Sequence, residues 1–281
     1  MNPADHADAV RIDCSGRKVF VTGGSRGIAA AIVRIFAHNG ASVAFNYSAP
    51  ADERAGFPVA ADNLVLELRR DGGDVHAIEG DLLSPDGPID LTNRVIETLG
   101  TVDILVLSAS AQINKDFLAT TVADIDIQLR VNILANIQIL QRIIPDMRRA
   151  GWGRIITIGS VQEVGPSPEM AVYAMTKAAL ENLVRNLAVD NAPHGITVNN
   201  VAPGLVETDR NAFRRHDSES WREFAASANP LGRAGQPGDI AGSVLFLASE
   251  AAAFITGATI SVAGGAQIPG ARRRARRESN S

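Results

Sequence analysis

At 281 residues, the chain is long enough for one large α/β domain or two small ones with a sizeable hydrophobic core. Apolar residues make up 46% of it, and the net charge of −4 gives no general attraction to nucleic acid or to an anionic membrane. The single cysteine, Cys14, excludes an intramolecular disulfide and a thiolate metal cluster. Because no long apolar run or apolar signal core is present, we expect a cytoplasmic protein that binds neither membrane nor nucleic acid.

Short apolar segments alternate with helical patterns through the first half of the chain. Strands are predicted at residues 18–22, 41–47, 74–79 and 102–107, with helices from the first glycine turn to about Asn39, near 59–71 and around 89–99. A polar loop is predicted between the second strand and the helix at 59–71. The fourth strand is apolar enough to be buried on both faces, which is typical of a parallel sheet.

A long helical region, from about Val122 to Arg149, opens the second half. Its middle is apolar almost all round, whereas a helix that covers one face of a sheet needs a single apolar stripe. We therefore expect a second partner here, most simply another copy of the chain in a homotetramer or homodimer. The later elements are predicted as a strand at 154–159, a helix through Tyr173, a strand at 196–201, a loop at 203–234, a helix opened by Pro237 and a strand at 258–262.

Seven alternations of strand and helix, with no hairpin signals, predict an α/β fold: one doubly wound, Rossmann-type domain with a seven-stranded parallel sheet and helices on both faces. We expect this domain at residues 16–268, after a flexible N-terminal extension at 1–15. The tail at 269–281 carries five arginines and is expected to be solvated and disordered, with contact to an anionic partner as the alternative.

A glycine-rich turn, Thr22-Gly-Gly-Ser-Arg-Gly-Ile28, follows the first strand and opens the first helix. Glycines let the backbone come close to a ligand, and the free N–H groups at the start of a helix favour an anion. A strand, a glycine turn and a helix in this order predict a phosphate cradle for a dinucleotide.

The end of the second strand carries Asn46, followed by Tyr47 and Ser48. An NAD-binding enzyme usually offers a carboxylate to the ribose hydroxyls at this position, and here no acid is present to repel a phosphate. Arg26, inside the turn, is expected to reach a 2′-phosphate, although a solvent-facing side chain is the alternative. We therefore predict NADP, with NAD as the less favoured cofactor. Asp81, just past the third strand, is placed to accept from an adenine amine or to cap the next helix.

Tyr173 and Lys177 are four residues apart in an amphipathic helical segment, so they lie on one face, a turn from each other. A phenol with a pKa of about 10 is a poor proton donor or acceptor at neutral pH, and an adjacent ammonium lowers that pKa. Ser160 follows the strand at 154–159. If strand and helix are neighbours, a hydroxyl, a phenol and an ammonium converge on a proton-transfer site for an alcohol or a carbonyl.

Motifs shared with a known family occur along most of the chain. They are the glycine turn at 22–28, Asp81, Asn132, Ser160, Tyr173-x-x-x-Lys177, Asn199-Asn-Val-Ala-Pro-Gly204 with Thr208, the segment 230–237 and the segment 246–265. Together they resemble the short-chain dehydrogenase/reductase family over residues 12–268, including its 3-oxoacyl reductase-like and sugar dehydrogenase-like members.

The resemblance implies a role for each matching residue. Tyr173 would be the general acid/base, and Ser160 would hold and polarise the substrate oxygen. Lys177 would bind the nicotinamide ribose and lower the pKa of Tyr173, while Asn132 would hold a water that relays protons. Together with the residue pattern, it predicts a cofactor-binding set of Thr22, Gly23, Ser25, Arg26, Gly27, Ile28, Asn46, Tyr47, Ser48, Asp81, Leu82, Ser108, Ala109, Tyr173, Lys177, Pro203, Gly204, Val206 and Thr208.

The chain departs from the family pattern in two places. The third glycine of the turn is replaced by Ala29, which the dinucleotide fingerprint tolerates. The fourth strand ends in Leu107-Ser-Ala-Ser110, where the family typically has Asn-Asn-Ala-Gly. We expect Ser108 to keep part of the hydrogen bonding that the lost amide would provide.

The loop at 205–229 is expected to set substrate specificity, since loops after the strand ends do so in such sheets. It mixes Phe213 and Trp221 with several arginines, which suits a substrate lid or, equally, a solvated amphipathic helix. Residues just past the strand-end serine, Gln162 and Glu163, are also expected to face substrate. The predicted substrate-binding set is Ser160, Gln162, Tyr173, Phe213 and Trp221.

The sequence thus predicts an NADP(H)-dependent oxidoreductase that interconverts a ketone or aldehyde and an alcohol, with no metal. Its partner would be a small carbonyl or alcohol substrate, with acyl thioesters, sugars, steroids and polyketide ketones all open. The alternative is a nucleotide-binding protein of the same fold with an isomerase, dehydratase or non-catalytic sensing role.

Overall fold

A parallel sheet of seven strands forms the centre of the molecule in the computed structural model, which describes residues 12–165 and 167–270. The strands are β1 (Lys18–Val21), β2 (Ser42–Tyr47), β3 (Asp74–Glu79), β4 (Ile104–Leu107), β5 (Gly153–Ile158), β6 (Ile196–Pro203) and β7 (Thr259–Val262). They lie in the order β3-β2-β1-β4-β5-β6-β7, and each neighbouring pair is parallel. The predicted doubly wound sheet is confirmed.

Helices cover both faces of this sheet. They are α1 (Gly27–His38), α2 (Ala49–Arg54), α3 (Ala60–Arg70), α4 (Gly87–Leu99), α5 (Val122–Leu129), α6 (Ala135–Ala150), α7 (Ala171–Asn191), α8 (Ser218–Ser227) and α9 (Pro237–Ala248). Successive residues of β1 point to opposite faces, as the pleat requires. Val19 and Val21 pack with α1, α3 and α9, whereas Phe20 packs with α4, α6 and α7.

Three segments differ from the sequence prediction. The predicted helix over 122–149 is α5 and α6 joined by a π-helical turn at Arg130–Leu134, and α6 ends before Gly151, whose φ is 67°. The polar loop expected after β2 contains α2, and the loop expected at 203–234 contains a 3₁₀ segment, Asp209–Arg215, followed by α8. Local side-chain caps explain α8, because Asp217 accepts hydrogen bonds from the Glu219 and Ser220 amides.

The chain ends were predicted to be an extension at 1–15 and a basic tail at 269–281. Residues 1–11 and 271–281, which include the five tail arginines, lie outside the described residues. Cys14, at the end of the extension, is buried, and its amide donates to the Asn39 carbonyl, 2.8 Å away. In the part of the chain that the structure describes, no helix is long and apolar enough to cross a membrane.

The sheet reverses its direction of winding between β1 and β4, because the chain passes from β3 at one edge back to the other side of β1. Ligands of open α/β sheets bind in the crevice outside the carboxyl ends of the strands at such a point. Thr22 follows β1, Ser108 follows β4 and Ser160 follows shortly after β5, so the predicted site residues gather at this edge.

Candidate active site

The hydroxyls of Ser160 and Tyr173 meet at the carboxyl end of β5. Tyr173 lies in the first turn of α7, and its phenol is close enough to the Ser160 hydroxyl for that hydroxyl to lower the pKa of the phenol. Lys177, one turn further along α7, donates to the Ile158 carbonyl at 2.7 Å and has its ammonium 5.6 Å from the centre of the Tyr173 ring. All three residues are buried. The structure therefore brings together the hydroxyl, the phenol and the ammonium that the sequence singled out.

Burial controls the charge states of this cluster. Loss of water around the phenol raises the pKa of Tyr173, while Arg210 and Ser160 act in the opposite direction. Burial, together with the positive charge of Arg210, lowers the pKa of Lys177 to about 8. The net shift of the phenol pKa is upward, and the expected lowering of this pKa by Lys177 stays a prediction.

Glu163 fixes the backbone of Ser160 through a hydrogen bond. Its Oε1 accepts from the Ser160 amide at 2.9 Å and from Asn200 Nδ2 at 3.0 Å. Residue 159 must be glycine, since a Cβ there would lie 1.8 Å from Glu163 Oε1. We expected Glu163 to face substrate, which is wrong: it closes a capping box on the turn Val161–Glu163. The Ser-x-x-Glu pattern was visible in the sequence and could have identified this role.

Asn132 lies in the π-helical turn and is fully buried. Its Oδ1 accepts from the Ala111 amide at 2.8 Å, and its Nδ2 donates to the Ala111 carbonyl and to Thr176 Oγ1, each at 2.9 Å. Thr176 in turn donates to the Tyr173 carbonyl at 2.7 Å. Asn132 thus ties the segment after β4 to the helix that carries Tyr173, while the predicted water relay stays a prediction.

The glycine turn is held by Asn46. The Asn46 Oδ1 accepts from the Gly23 amide at 2.8 Å, and its Nδ2 donates to the Gly80 carbonyl at 3.2 Å. The side chain is 2% exposed. The side-chain amide of Asn46 therefore links the turn to the ends of β2 and β3, and its predicted contact with the cofactor stays a prediction. Tyr47 follows it at the end of β2, and Ser48 precedes α2.

The turn and the start of α1 fit a dinucleotide phosphate. Gly23 and Gly27 have φ of 69° and 57°, a region that favours glycine. A Cβ at Gly24 would come within 2.4 Å of the Phe45 side chain, so the backbone runs close to β2. Among the described residues, no side chain caps the amides at the start of α1, which include those of Gly27 and Ile28. Such amides and the helix dipole favour an anion.

Arg26 is engaged by two carboxylates. Its Nε donates to Asp52 Oδ1 at 2.8 Å, and its Nη1 pairs with Asp209 at the start of the substrate loop. Asp52, which is 3% exposed, also accepts from Ser25 Oγ at 3.1 Å. Arg26 is therefore paired in this structure, and its predicted contact with a 2′-phosphate stays a prediction. Sequence reasoning missed Asp52 because no pattern links position 26 to position 52.

Other predicted cofactor contacts line the same crevice. Asp81 accepts from the Leu83 amide at 2.9 Å, so it caps this local turn and not α4; Leu82 beside it is buried. Gly204 follows Pro203 at the end of β6, and a Cβ there would lie 2.8 Å from Ala263. Val206 is buried and pairs with Gly235, and Thr208 precedes the 3₁₀ segment at Asp209–Arg215.

The aromatic residues of the substrate loop do not reach the catalytic cluster in this structure. Phe213 is 63% exposed, and Trp221 packs against Phe224 with 5.9 Å between ring centres. Arg210, named in the sequence only as part of a basic loop, lies near the Tyr173 phenol instead. The backbone N–H of Gln162 donates to Ser160 Oγ at 3.2 Å, and the contact of its side chain with substrate stays a prediction.

Comparison with known proteins agrees with this geometry. Residues 23–267 match the family model described as enoyl-(acyl carrier protein) reductase. An L-rhamnose 1-dehydrogenase from a Sphingomonas species is 34% identical over 254 residues, which cover 90% of this chain and 97% of that protein. The chain belongs to the short-chain dehydrogenase/reductase family. The predicted resemblance is confirmed.

Two solved structures of this family carry a nucleotide. A 3-oxoacyl-(acyl-carrier-protein) reductase from Agrobacterium tumefaciens, with NADP bound, superimposes with a TM-score of 0.85 at 39% identity, covering 94% of this chain and 100% of that one. A gluconate 5-dehydrogenase from Burkholderia cenocepacia, in complex with NADP and tartrate, gives a TM-score of 0.81 at 30% identity, covering 91% of this chain and 97% of that one.

The departure from the family pattern at the end of β4 has a simple structural explanation. The Thr22 hydroxyl accepts from the Ser108 amide at 2.9 Å and from the Ala109 amide at 3.0 Å. These bonds use backbone donors, so they do not depend on the side chain at position 108. The end of β4 is therefore tied to β1 although the usual asparagine of the short-chain dehydrogenase/reductase family is absent.

Proposed function

We propose that the protein is an NADP(H)-dependent oxidoreductase that interconverts a ketone or aldehyde and the corresponding alcohol. The observation that carries the proposal is the placement of the buried hydroxyls of Ser160 and Tyr173 next to each other, with Lys177 beside them. Membership of an oxidoreductase family and the uncapped start of α1 in the same crevice support it.

The chain's own residues supply the proton chemistry. A bound nicotinamide dinucleotide supplies the hydride donor or acceptor. In the reduction direction, Ser160 donates a hydrogen bond to the substrate carbonyl oxygen, and Tyr173 transfers its phenolic proton to that oxygen as the carbon gains a hydride. The products are the alcohol and a phenolate, whose negative charge the ammonium of Lys177 stabilises. Oxidation of the alcohol reverses these steps.

NADP is the cofactor we propose, with NAD less favoured. The support is that no carboxylate occupies the end of β2, where Asn46 stands, and that the two structural relatives described above were solved with NADP. Arg26 lies within the glycine turn, and its two carboxylate partners set the strength of the preference for NADP over NAD. The substrate stays open at this level, since the relatives are named for a sugar, a sugar acid and an acyl thioester.

Replacing Tyr173 by Phe tests the proposal. The variant keeps the ring and loses the proton donor, so we expect the rate of NADPH oxidation with a ketone substrate to fall about 100-fold or more. NADPH affinity, measured by fluorescence titration, should change by less than about twofold. Substrate is found by following NADPH absorbance across acyl, sugar and hydroxy-acid ketones. Turnover that survives in Tyr173→Phe would contradict the assignment of this phenol as the general acid/base.

A further inference from the structure

Arg210 places a positive charge next to the catalytic hydroxyls. The 3₁₀ segment that follows β6 carries it across the crevice to the segment after β4. There its Nη1 lies 3.2 Å from Gln112 Oε1, and its Nη2 lies 3.1 Å from the Ser110 carbonyl and 3.2 Å from Ser110 Oγ. The guanidinium is also close enough to the Tyr173 phenol to lower its pKa.

These partners are all neutral. Arg210 forms no ion pair with any of the described residues, in contrast to its neighbour on the loop, Asp209, which pairs with Arg26. The Arg26–Asp209 pair holds the start of the segment against the glycine turn and so fixes the backbone from which Arg210 extends. An arginine fixed in this way beside a reaction site, without an anion, is matched to an anion that arrives with a ligand.

The site as a whole has a surplus of positive charge. The positive charge of Arg210 is close enough to disfavour the ammonium form of Lys177, and the negative charge of Glu163 acts in the opposite direction. Burial raises the pKa of Glu163, which weakens its ability to compensate Lys177. An anionic group on the substrate would relieve this repulsion.

A second polar feature completes the pocket. Gln112 and Gln162 both contact the Met170 sulfur, with Nε2–Sδ distances of 2.8 and 3.5 Å, so the two amides converge on one side of the catalytic cluster. Gln162 Oε1 is buried and, among the described residues, has no hydrogen-bond partner. A buried acceptor without a donor is costly, and a hydroxyl of the substrate would satisfy it.

We propose that Arg210 binds a carboxylate of the substrate, and that the protein acts on hydroxy acids and the corresponding oxo acids in preference to neutral carbonyl compounds. The proposal rests on the proposed oxidoreductase function and names the substrate class of that site. The substrate oxygen that reacts would lie between Ser160 and Tyr173. Since Arg210 lies near the same phenol, the carboxylate would be attached close to the reacting carbon.

The planar fork of an arginine matches a carboxylate through two parallel hydrogen bonds. Arg210 presents both terminal nitrogens at this site, each now bonded to a neutral oxygen of Ser110 or Gln112. A carboxylate would replace neutral acceptors by charged ones, which make stronger hydrogen bonds. A lysine at this position would supply the charge but not the fork, so Arg210→Lys should recover only part of the binding.

The test measures binding and not turnover. The protein saturated with NADP⁺ is titrated by calorimetry with L-tartrate and with L-threitol, its neutral tetrol analogue. We expect tartrate to bind more tightly than threitol, and Arg210→Gln to weaken tartrate binding about tenfold or more, as the loss of a charged hydrogen bond predicts. Arg222→Gln is the matched control, because it removes the same charge from α8, and it should change tartrate affinity less than about twofold.

Three results would overturn the proposal. Equal affinity for tartrate and threitol would show that no carboxylate is recognised. Equal effects of Arg210→Gln and Arg222→Gln would show a general charge effect of the loop. Weaker NADP⁺ binding with unchanged tartrate affinity in Arg210→Gln would make Arg210 a cofactor contact. The oxidoreductase proposal fails separately, through Tyr173→Phe, and can fail while tartrate binding persists.

Discussion

At the scale of single residues, Asp52 has the clearest consequence for cofactor choice. Its carboxylate is buried against Arg26 and Ser25, and it would repel a 2′-phosphate that approached the same guanidinium. We expect Asp52→Asn, which keeps an acceptor for Ser25, to strengthen NADPH binding relative to NADH by about threefold to tenfold. Arg26→Ala should remove most of the preference. Fluorescence titration with both cofactors measures the ratio, and Glu53→Gln, on the exposed side of α2, is the control.

A wild-type protein that binds NADH more tightly than NADPH would contradict this argument.

Some single residues of the site could be predicted from the sequence, and others could not. Tyr173, Lys177 and Ser160 were found because helix spacing and a strand end fix their relative positions. The pairing of Arg26 with Asp52 was not predicted, since it depends on how α2 packs beside the glycine turn.

At the scale of elements, the turn Val161–Glu163 links the charge of a half-buried carboxylate to the pH dependence of the site. The negative charge of Glu163 supports the protonated form of Lys177, whose pKa burial lowers to about 8. In the reduction direction, activity should fall as pH rises through the pKa of Lys177, before Tyr173 ionises, because burial raises the pKa of the phenol. Removing the charge at Glu163 disfavours the ammonium, so its pKa falls further.

We therefore expect Glu163→Gln to shift the alkaline loss of kcat/KM to lower pH, while its amide oxygen still accepts from the Ser160 amide. Glu163→Ala should lower activity at all pH values as well, because the turn loses that bond. The control is Glu169→Gln, an exposed carboxylate on the neighbouring turn Pro168–Met170. An unshifted pH profile in Glu163→Gln would show that Glu163 acts on Ser160 alone.

Elements were easier to predict where periodicity is strong. The bounds of β3, Asp74–Glu79, match the sequence prediction, and α3 and α4 begin within one or two residues of theirs. The π-helical turn at Arg130–Leu134 was not predictable, because it has the same apolar composition as the helices on either side. The turn depends on contacts with distant parts of the chain, because it places Asn132 against Ala111 and Thr176.

At the scale of the whole molecule, apolar side chains remain exposed on the long helical region. Val122 is 82%, Ile127 37% and Leu134 50% exposed. Packing against the sheet buries Ile139 and Ile143 of this helical region. It therefore leaves other apolar residues of the same region exposed. A surface that carries several exposed apolar side chains is a candidate for protein–protein contact. We propose that this surface joins copies of the chain in a homotetramer or homodimer.

Leu134→Glu tests this assembly. The change places a charge in the proposed contact without touching the core, since the side chain is half exposed, so the variant should fold. We expect light scattering to report a dimer or tetramer for the wild type and a smaller, concentration-dependent species for Leu134→Glu, with unchanged far-UV circular dichroism. Leu66→Glu, at a leucine on α3 that is 64% exposed, should leave the mass unchanged. A monomeric wild type would remove the inference, and equal loss of assembly in both variants would place the contact elsewhere.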